Sequence, residues 1–196
     1  MFNILVDMLP RDYKGYLINY QYFTGIMLVE CLKDRDNLFE NSQSGQLEKL
    51  FTAFNILYGN GVPDINTAID GLNWFLNCGV VDIKDKGAYK EYFCFNQDSQ
   101  YIYSAFRLKY GINLSTEKEL HWFEFIYLFN DLSKTAFREI INIRTMSNKD
   151  MKGYSPEMKA KILAEKKKFA LKNTNTAAYT SEEKSKIDAF YNMINS

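Results

Sequence analysis

Few side chains in this sequence have the types and spacing that catalysis or metal binding requires. The single histidine, His121, lies in the apolar stretch ELHWFEFIYLFNDL, with Glu117 four residues before it and Glu124 three residues after it. On a helix both carboxylates would be within reach of the imidazole. A catalytic base also requires a nucleophile or a substrate position, and a metal site requires further ligands. We therefore interpret His121 as a structural histidine with an ion-pair or hydrogen-bond partner; a partner contact and a catalytic role are the alternatives.

Other common signatures of chemistry do not occur in the sequence. It contains no G-x-x-x-x-G-K-[ST], G-x-G-x-x-G, H-E-x-x-H or G-x-S-x-G motif. Cys31, Cys78 and Cys94 are far apart and lack C-x-x-C spacing, which is typical of reduced, packed thiols. The acidic loop DRDNLFENSQSG lacks the ligand order of a calcium-binding hand. The sequence therefore predicts no catalytic residues, no metal site and no cofactor-binding residues.

Composition and charge favour one compact, soluble, intracellular domain. The 196 residues are 46% hydrophobic, and the 24 basic and 24 acidic side chains balance, so no nucleic-acid or membrane partner is expected. The N-terminus lacks the pattern of a signal peptide, and no apolar run is long enough to span a bilayer. Residues 147–196 nevertheless contain 10 basic and 6 acidic side chains, so the C-terminal part is mildly positive.

Hydrophobic periodicity predicts a mainly α (α+β) fold, a compact helical bundle with a small N-terminal β-hairpin. The hairpin is predicted to pair residues 2–10 with residues 15–22 across the turn RDYKG, and residues 80–95 are compatible with a second short hairpin. Helices are predicted at about 23–33, 47–58, 65–76, 101–110, 117–132 and 156–171. The predicted organisation is a single mainly helical domain over 1–171, then a polar linker and a short C-terminal helix over 172–196.

The helix predicted over 117–132 has the widest apolar arc and should lie at the centre of the core. His121 falls on its narrow polar stripe beside Glu117 and Glu124, so we expect His121→Gln to be tolerated. The side chains expected to be buried are Trp122, Phe125, Ile126 and Phe129.

The helix predicted from Pro156 begins with a convincing cap, Ser155, and ends in a run of lysines. Its ragged apolar stripe fits either a solvated helix packed edgewise or a docking surface for an acidic partner; nucleic-acid binding is the weakest alternative. The C-terminal helix has one apolar face that could fold back or meet another chain. The residues predicted to bind a partner are Lys166, Lys167, Lys168, Ile187, Phe190, Tyr191 and Ile194.

Several stretches, in their order along the chain, form one recognisable pattern. They are LVDMLP at the start, WFLNCG at 74–79, FNQDSQYIYSAFRLKYGINL at 95–114, LHWFEFIYLFNDL at 120–132 and IRTM at 143–146. Together they resemble a family of tailed-phage proteins encoded near the tape-measure protein in viruses and prophages of Gram-positive bacteria. The resemblance covers about residues 1–171 and not the C-terminal end, and Ile143 stands where an aromatic residue is expected.

The resemblance implies a non-enzymatic tail-assembly chaperone in the cytoplasm of the host cell. Such a protein would bind the tape-measure protein and help to order polymerisation of the tail tube. The tail-tube protein is a second candidate partner, and self-association is left open. The alternatives are a minor structural protein that is retained in the tail and a small helical hydrolase that uses His121 with Glu124.

Overall fold

The computed structural model describes residues 3–34, 39–80 and 92–172. Within these ranges the chain forms helices and one two-stranded antiparallel hairpin, which confirms the predicted mainly α fold with a small N-terminal hairpin. The strands are β1 (Asp12–Tyr13) and β2 (Tyr16–Leu17), and the helices are α1 (Tyr22–Lys33), α2 (Gln43–Tyr58), α3 (Ile65–Leu76), α4 (Ser99–Tyr110), α5 (Trp122–Asn130), α6 (Ala136–Thr145) and α7 (Pro156–Lys168).

The N-terminal hairpin lies later in the chain than the sequence pattern predicted. Lys14 and Gly15 both have positive φ angles, 51° and 86°, which is typical of a two-residue turn that matches the twist of the flanking strands. This turn brings Tyr13 opposite Tyr16, so residues of the predicted turn form the first strand, and the second strand lies within the predicted range 15–22. Residues 3–8 form an exposed turn and bend. The strand predicted over 2–10 is therefore wrong in the part that the structure describes.

Helices α1, α2 and α3 pack against one another, and α1 runs antiparallel to α2, since its start lies beside the end of α2 and its end lies beside Lys49 in the first half of α2. The backbone N–H of Asn19, just before α1, donates to the carbonyl of Leu57 near the end of α2 at 2.8 Å. Asp64 caps α3 by accepting the backbone N–H of Thr67 at 3.1 Å, as the sequence predicted. These three helices confirm the predicted elements and form one side of the core.

Helix α5 lies at the centre of the core, as predicted, but it begins five residues later than the pattern indicated. Trp122, Phe125 and Phe129 are buried, and Ile126 is half-buried. The phenyl ring of Phe125 stacks on those of neighbouring side chains at centroid distances of 5.0 to 5.8 Å. These contacts make α5 the element around which the other helices are arranged.

The late start of α5 has a cause that is not local. The backbone N–H of Tyr22 donates to the carbonyl of Leu120 at 2.9 Å, and that of Trp122 donates to the carbonyl of Tyr20 at 2.8 Å. Gln21 and His121 therefore form an antiparallel bridge, and the extended backbone at His121 cannot be helical at the same time. The prediction that the helix begins at residue 117 is wrong for this reason.

Helix α6 was not predicted, whereas α7 begins as predicted. Ser155 accepts the backbone N–H of Met158 at 3.2 Å, Pro156 occupies the first helical position, and the helix ends at Lys168 rather than at 171. The three cysteines are free; Cys78 and Cys94 are buried and Cys31 is half-buried. Most of the second hairpin predicted over 80–95 lies outside the described residues. The predicted C-terminal helix lies entirely outside them.

None of the helices in the described part of the chain is long and apolar enough to cross a membrane.

Candidate functional site

His121 is the N-cap of α5 and is almost completely buried, with 2% of its surface exposed. Its Nδ1 accepts the backbone N–H of Phe123 at 3.0 Å, and the carboxylate of Glu124 accepts the backbone N–H of His121 at 3.2 Å. These two bonds form a reciprocal capping box. The predicted proximity to Glu124 is confirmed, whereas the predicted place on the polar stripe of a helix is wrong, because His121 caps α5 and lies just before its first residue.

The second ring nitrogen of His121 ties the N-terminal segment to the core. Nε2 lies 2.8 Å from the carbonyl oxygen of Pro10, and because a carbonyl only accepts, Nε2 must be the donor. Since Nδ1 accepts from Phe123, the imidazole is held in one neutral tautomer. Burial lowers the pKa of His121, which also favours the neutral form. Both nitrogens are thus used within the fold, and the ring is positioned as a structural group.

A buried ion pair, Asp98 with Arg144, is the strongest polar cluster that the sequence reasoning missed. Arg144 donates from Nη1 to Oδ2 of Asp98 at 2.7 Å and from Nη2 to Oδ1 at 2.8 Å. The side chain of Asp98 is 1% exposed, and that of Arg144 is 10% exposed. Oδ2 also accepts the backbone N–H of Cys94 at 3.0 Å. This two-bond geometry between guanidinium and carboxylate is the strong form of an ion pair.

Arg144 also connects the end of α7 to the rest of the domain. Its Nε donates to the carbonyl of Phe169 at 2.6 Å, and its Nη1 donates to the carbonyl of Tyr92 at 3.0 Å. Together with the Asp98 pair, these bonds join α4, α6, α7 and the segment before α4. Asp98 and Arg144 lie in the stretches FNQDSQ and IRTM, but sequence spacing alone does not show that they meet.

The three lysines predicted to bind a partner, Lys166, Lys167 and Lys168, differ in exposure and in their contacts. Lys166 is half-buried and donates to the carbonyl of Met146 at the end of α6. Lys168 lies 5.2 Å from the ring centroid of Phe169, and Lys167 is exposed. Lys167 and Lys168 are therefore the members that α7 presents at the surface. The other predicted residues, Ile187, Phe190, Tyr191 and Ile194, lie outside the described residues.

A groove of about 460 Å³ lies between α1, with the segment before it, and α2. Its apolar walls come from Phe23, Met27 and Ile56, and the exposed fractions of Phe23 and Met27 are 41% and 53%. Both residues lie in the helix predicted over 23–33, but neither was predicted to line a binding site. The available signal was that α1 has more apolar residues than one buried face requires. The remaining lining residues are Asn19, Gln21, Thr24 and Asn55.

Within the described residues, no three histidine, cysteine or carboxylate side chains come close enough to hold a metal ion.

Comparison with known proteins shows which class of protein this chain belongs to. Residues 5–171 match a family model described as "Bacteriophage Gp15 protein". The match spans most of the sequence, so the chain is a bacteriophage protein. It belongs to the bacteriophage Gp15 protein family. No curated protein and no solved structure gave a significant match.

Proposed function

We propose that this protein is a non-enzymatic tail-assembly chaperone that binds the tape-measure protein in the cytoplasm of the host cell. Membership of a bacteriophage family supports a structural or assembly role in the phage. The resemblance found in the sequence supports the more specific role. Unassembled copies of a long, helical tape-measure protein would expose apolar stripes, and a chaperone would cover them until tail-tube subunits enclose the protein.

The observation that carries this proposal is the surface of α7. No residue of this described helix is fully buried, and its main neighbour is α6. Met158 and Leu163 are 50% and 53% exposed, and the lysines of the helix lie around them. Apolar side chains on an exposed helix are suited to packing against a partner helix.

The charge of α7 supports an acidic partner surface. Five of its thirteen residues are lysines, and Lys159, Lys161 and Lys167 are exposed. Exposed charges of one sign speed the encounter with a surface of the opposite sign and contribute less to the final affinity. In this proposal the exposed apolar side chains supply the buried contact and the lysines steer the approach.

Co-expression with the tape-measure protein encoded beside this chain tests the proposal. We expect the two proteins to co-purify and Leu163→Asp to weaken the complex, because an aspartate would be desolvated at the interface. Leu108→Asp is the matched control, since Leu108 is also on a helix and is 78% exposed. Failure of the wild type to co-purify would argue against the proposed binding. Equal loss of the complex with both variants would argue against α7 as the docking surface. A parallel co-expression with the tail-tube protein tests the second candidate partner.

Purified virions distinguish a chaperone from a minor structural protein. A chaperone acts before the tail is complete, so mass spectrometry of purified virions should not detect this chain. Detection in amounts comparable with the other minor tail proteins would favour the structural alternative. The same virions provide the control, because the tape-measure protein should be detected in them.

A further inference from the structure

One face of α1 is covered by other residues at one end, and at its other end it lines the groove between α1 and α2. Phe23, Met27 and Glu30 follow one another at i, i+4 and i+7, so their side chains lie on one face of the helix. At the covered end, the carboxylate of Glu30 accepts from the side-chain amide of Asn96 at 3.4 Å. At the other end, Phe23 and Met27 line the groove and are 41% and 53% exposed.

The described chain stops beside the covered end of this face of α1. The backbone N–H of Lys172 donates to the side chain of Gln97 at 2.8 Å, and the Gln97 amide donates to the carbonyl of Lys172 at 2.6 Å. Gln97 directly follows Asn96, which contacts Glu30. The sequence after residue 172 therefore starts next to α1.

The distance to the groove is short for the length of chain that follows. Seven residues of helix separate Glu30 from Phe23, which corresponds to about 10 Å. A chain of the length of residues 173–186 would have a root-mean-square span of about 20 Å if it behaved as a random coil. Residues 187–194 can therefore reach the groove of their own chain without an extended linker.

The chemistry of residues 187–194 matches that of the groove. Ile187, Phe190, Tyr191 and Ile194 recur at the spacing of one helical face, and Asp188 is the one charged residue between 187 and 196. All seven groove-lining residues are apolar or neutral polar. If the apolar face of residues 187–194 were buried in the groove, apolar surface would be removed from water. No charged side chain of the groove would lose its hydration, because the groove lining contains none.

We propose that residues 187–194 bind in the groove between α1 and α2 of their own chain and cover Phe23 and Met27. A short tether gives the segment an effective concentration in the millimolar range, which exceeds that of a second copy at micromolar protein concentration. A partner that uses either apolar face would first have to displace this contact. The proposal goes beyond the chaperone role and does not depend on it.

Photo-cross-linking within the full-length chain tests the proposal without any partner. Here p-benzoylphenylalanine takes the place of Phe190 in one protein and of Asn192, on the opposite side of the predicted helix, in the control. After irradiation at micromolar concentration, mass spectrometry maps the cross-links. We expect the monomer to carry cross-links from position 190 to residues 19–27 or 55–56, several-fold more abundant than those from position 192.

A substitution in the groove makes the test specific. Met27→Asp places a charge in the groove at an exposed position, so it should leave the melting temperature nearly unchanged and reduce the cross-links from position 190 several-fold. Unchanged cross-links in this folded variant would overturn the proposal. Cross-links to the groove found only in a covalent dimer would overturn it in favour of a second copy, and cross-links elsewhere or none at all would also overturn it.

Discussion

At the scale of single residues, His121 links the pH of the solution to the stability of the fold. Its imidazole is held neutral between the carbonyl of Pro10 and the backbone N–H of Phe123. Burial lowers the pKa of His121 below its ordinary value of 6.5. The unfolded chain therefore binds this proton at a higher pH than the folded chain does, and acid favours unfolding.

The first prediction follows from this sign. The stabilising effect should be complete above about pH 6.5 and should be lost progressively as the pH falls toward the lower pKa of the folded state. Because the chain has one histidine, urea denaturation should show a free energy of unfolding that decreases between pH 7 and pH 5. In His121→Asn, which keeps a capping oxygen, the decrease over this range should be much smaller. An equal decrease in both proteins would contradict the assignment.

The buried position of His121 also reverses the expectation that glutamine would replace it harmlessly. An exposed histidine on a polar stripe would tolerate the change. In the structure, removal of the ring would weaken the cap of α5 and leave the carbonyl of Pro10 without its donor. A lost cap costs about 1 kcal/mol, and loss of the bond to the partly buried carbonyl of Pro10 adds to that cost.

The second prediction concerns the ion pair of Asp98 and Arg144. Arg144→Met should lower the free energy of unfolding by about 3 to 5 kcal/mol, because it leaves a carboxylate buried without its cation. The matched control is the exposed pair of Lys14 and Asp70, which is 3.6 Å apart; Lys14→Met should cost about 1 kcal/mol or less. Urea denaturation measures both changes. If the two costs were similar, the Asp98–Arg144 pair could not be the buried clamp that the structure shows.

At the scale of elements, α1 and α5 approach each other so closely that a glycine is required between them. A Cβ atom added at Gly25 would lie 2.1 Å from ring atoms of Trp122. Trp122 is 2% exposed and has little room to move. The antiparallel bridge between Gln21 and His121 joins the backbone just before α1 to the backbone just before α5 and holds the two elements at this distance.

The third prediction is that Gly25→Ala destabilises the protein although alanine is the better helix former. Overpacking should lower the free energy of unfolding by about 1 to 3 kcal/mol, against a gain of about 1 kcal/mol in helix propensity. Gly61→Ala is the control, since the nearest atom to its Cβ would be the carbonyl oxygen of Tyr58 at 3.6 Å. Thermal denaturation should show a lower melting temperature for Gly25→Ala than for Gly61→Ala. A Gly25→Ala protein as stable as wild type would contradict this packing of α1 on α5.

The elements that could be predicted from the sequence are those with a local cause. Helix α3 has its own cap at Asp64 and a regular apolar stripe, and α7 has its cap at Ser155, so periodicity and caps located both. The start of α5 depends on backbone pairing with residues about 100 positions earlier, and the short helix α6 has only a brief apolar repeat. The meeting of Asp98 with Arg144 likewise depends on the tertiary fold.

At the scale of the whole molecule, the two surfaces for which occupants are proposed differ in charge. The groove between α1 and α2 is lined by uncharged residues, whereas α7 contains five lysines. A protein that holds its own C-terminal segment in the neutral groove would still present α7 to a partner. The two proposals therefore assign different occupants to the two surfaces and can fail independently.

The fourth prediction concerns α7 and the salt dependence of partner binding. Replacing Lys159 and Lys167 by glutamine should slow association with the tape-measure protein several-fold at low salt and reduce the salt dependence of binding, because exposed charges act mainly on encounter. Lys166 is left unchanged, since it donates to the carbonyl of Met146 and its loss would disturb the contact of α7 with α6. Lys118→Gln is the control, an exposed lysine outside α7.

Biolayer interferometry at two salt concentrations measures the association rate of each protein. Wild type and Lys118→Gln should show the same decrease in rate as salt rises, and the double variant should show a smaller one. Because ionic strength screens exposed charges over about 10 Å at 0.1 M salt, the difference between the proteins should nearly vanish at the higher concentration. If the double variant folds normally and keeps the association rate and salt dependence of wild type, the lysines of α7 do not steer the partner and its docking surface lies elsewhere on the molecule.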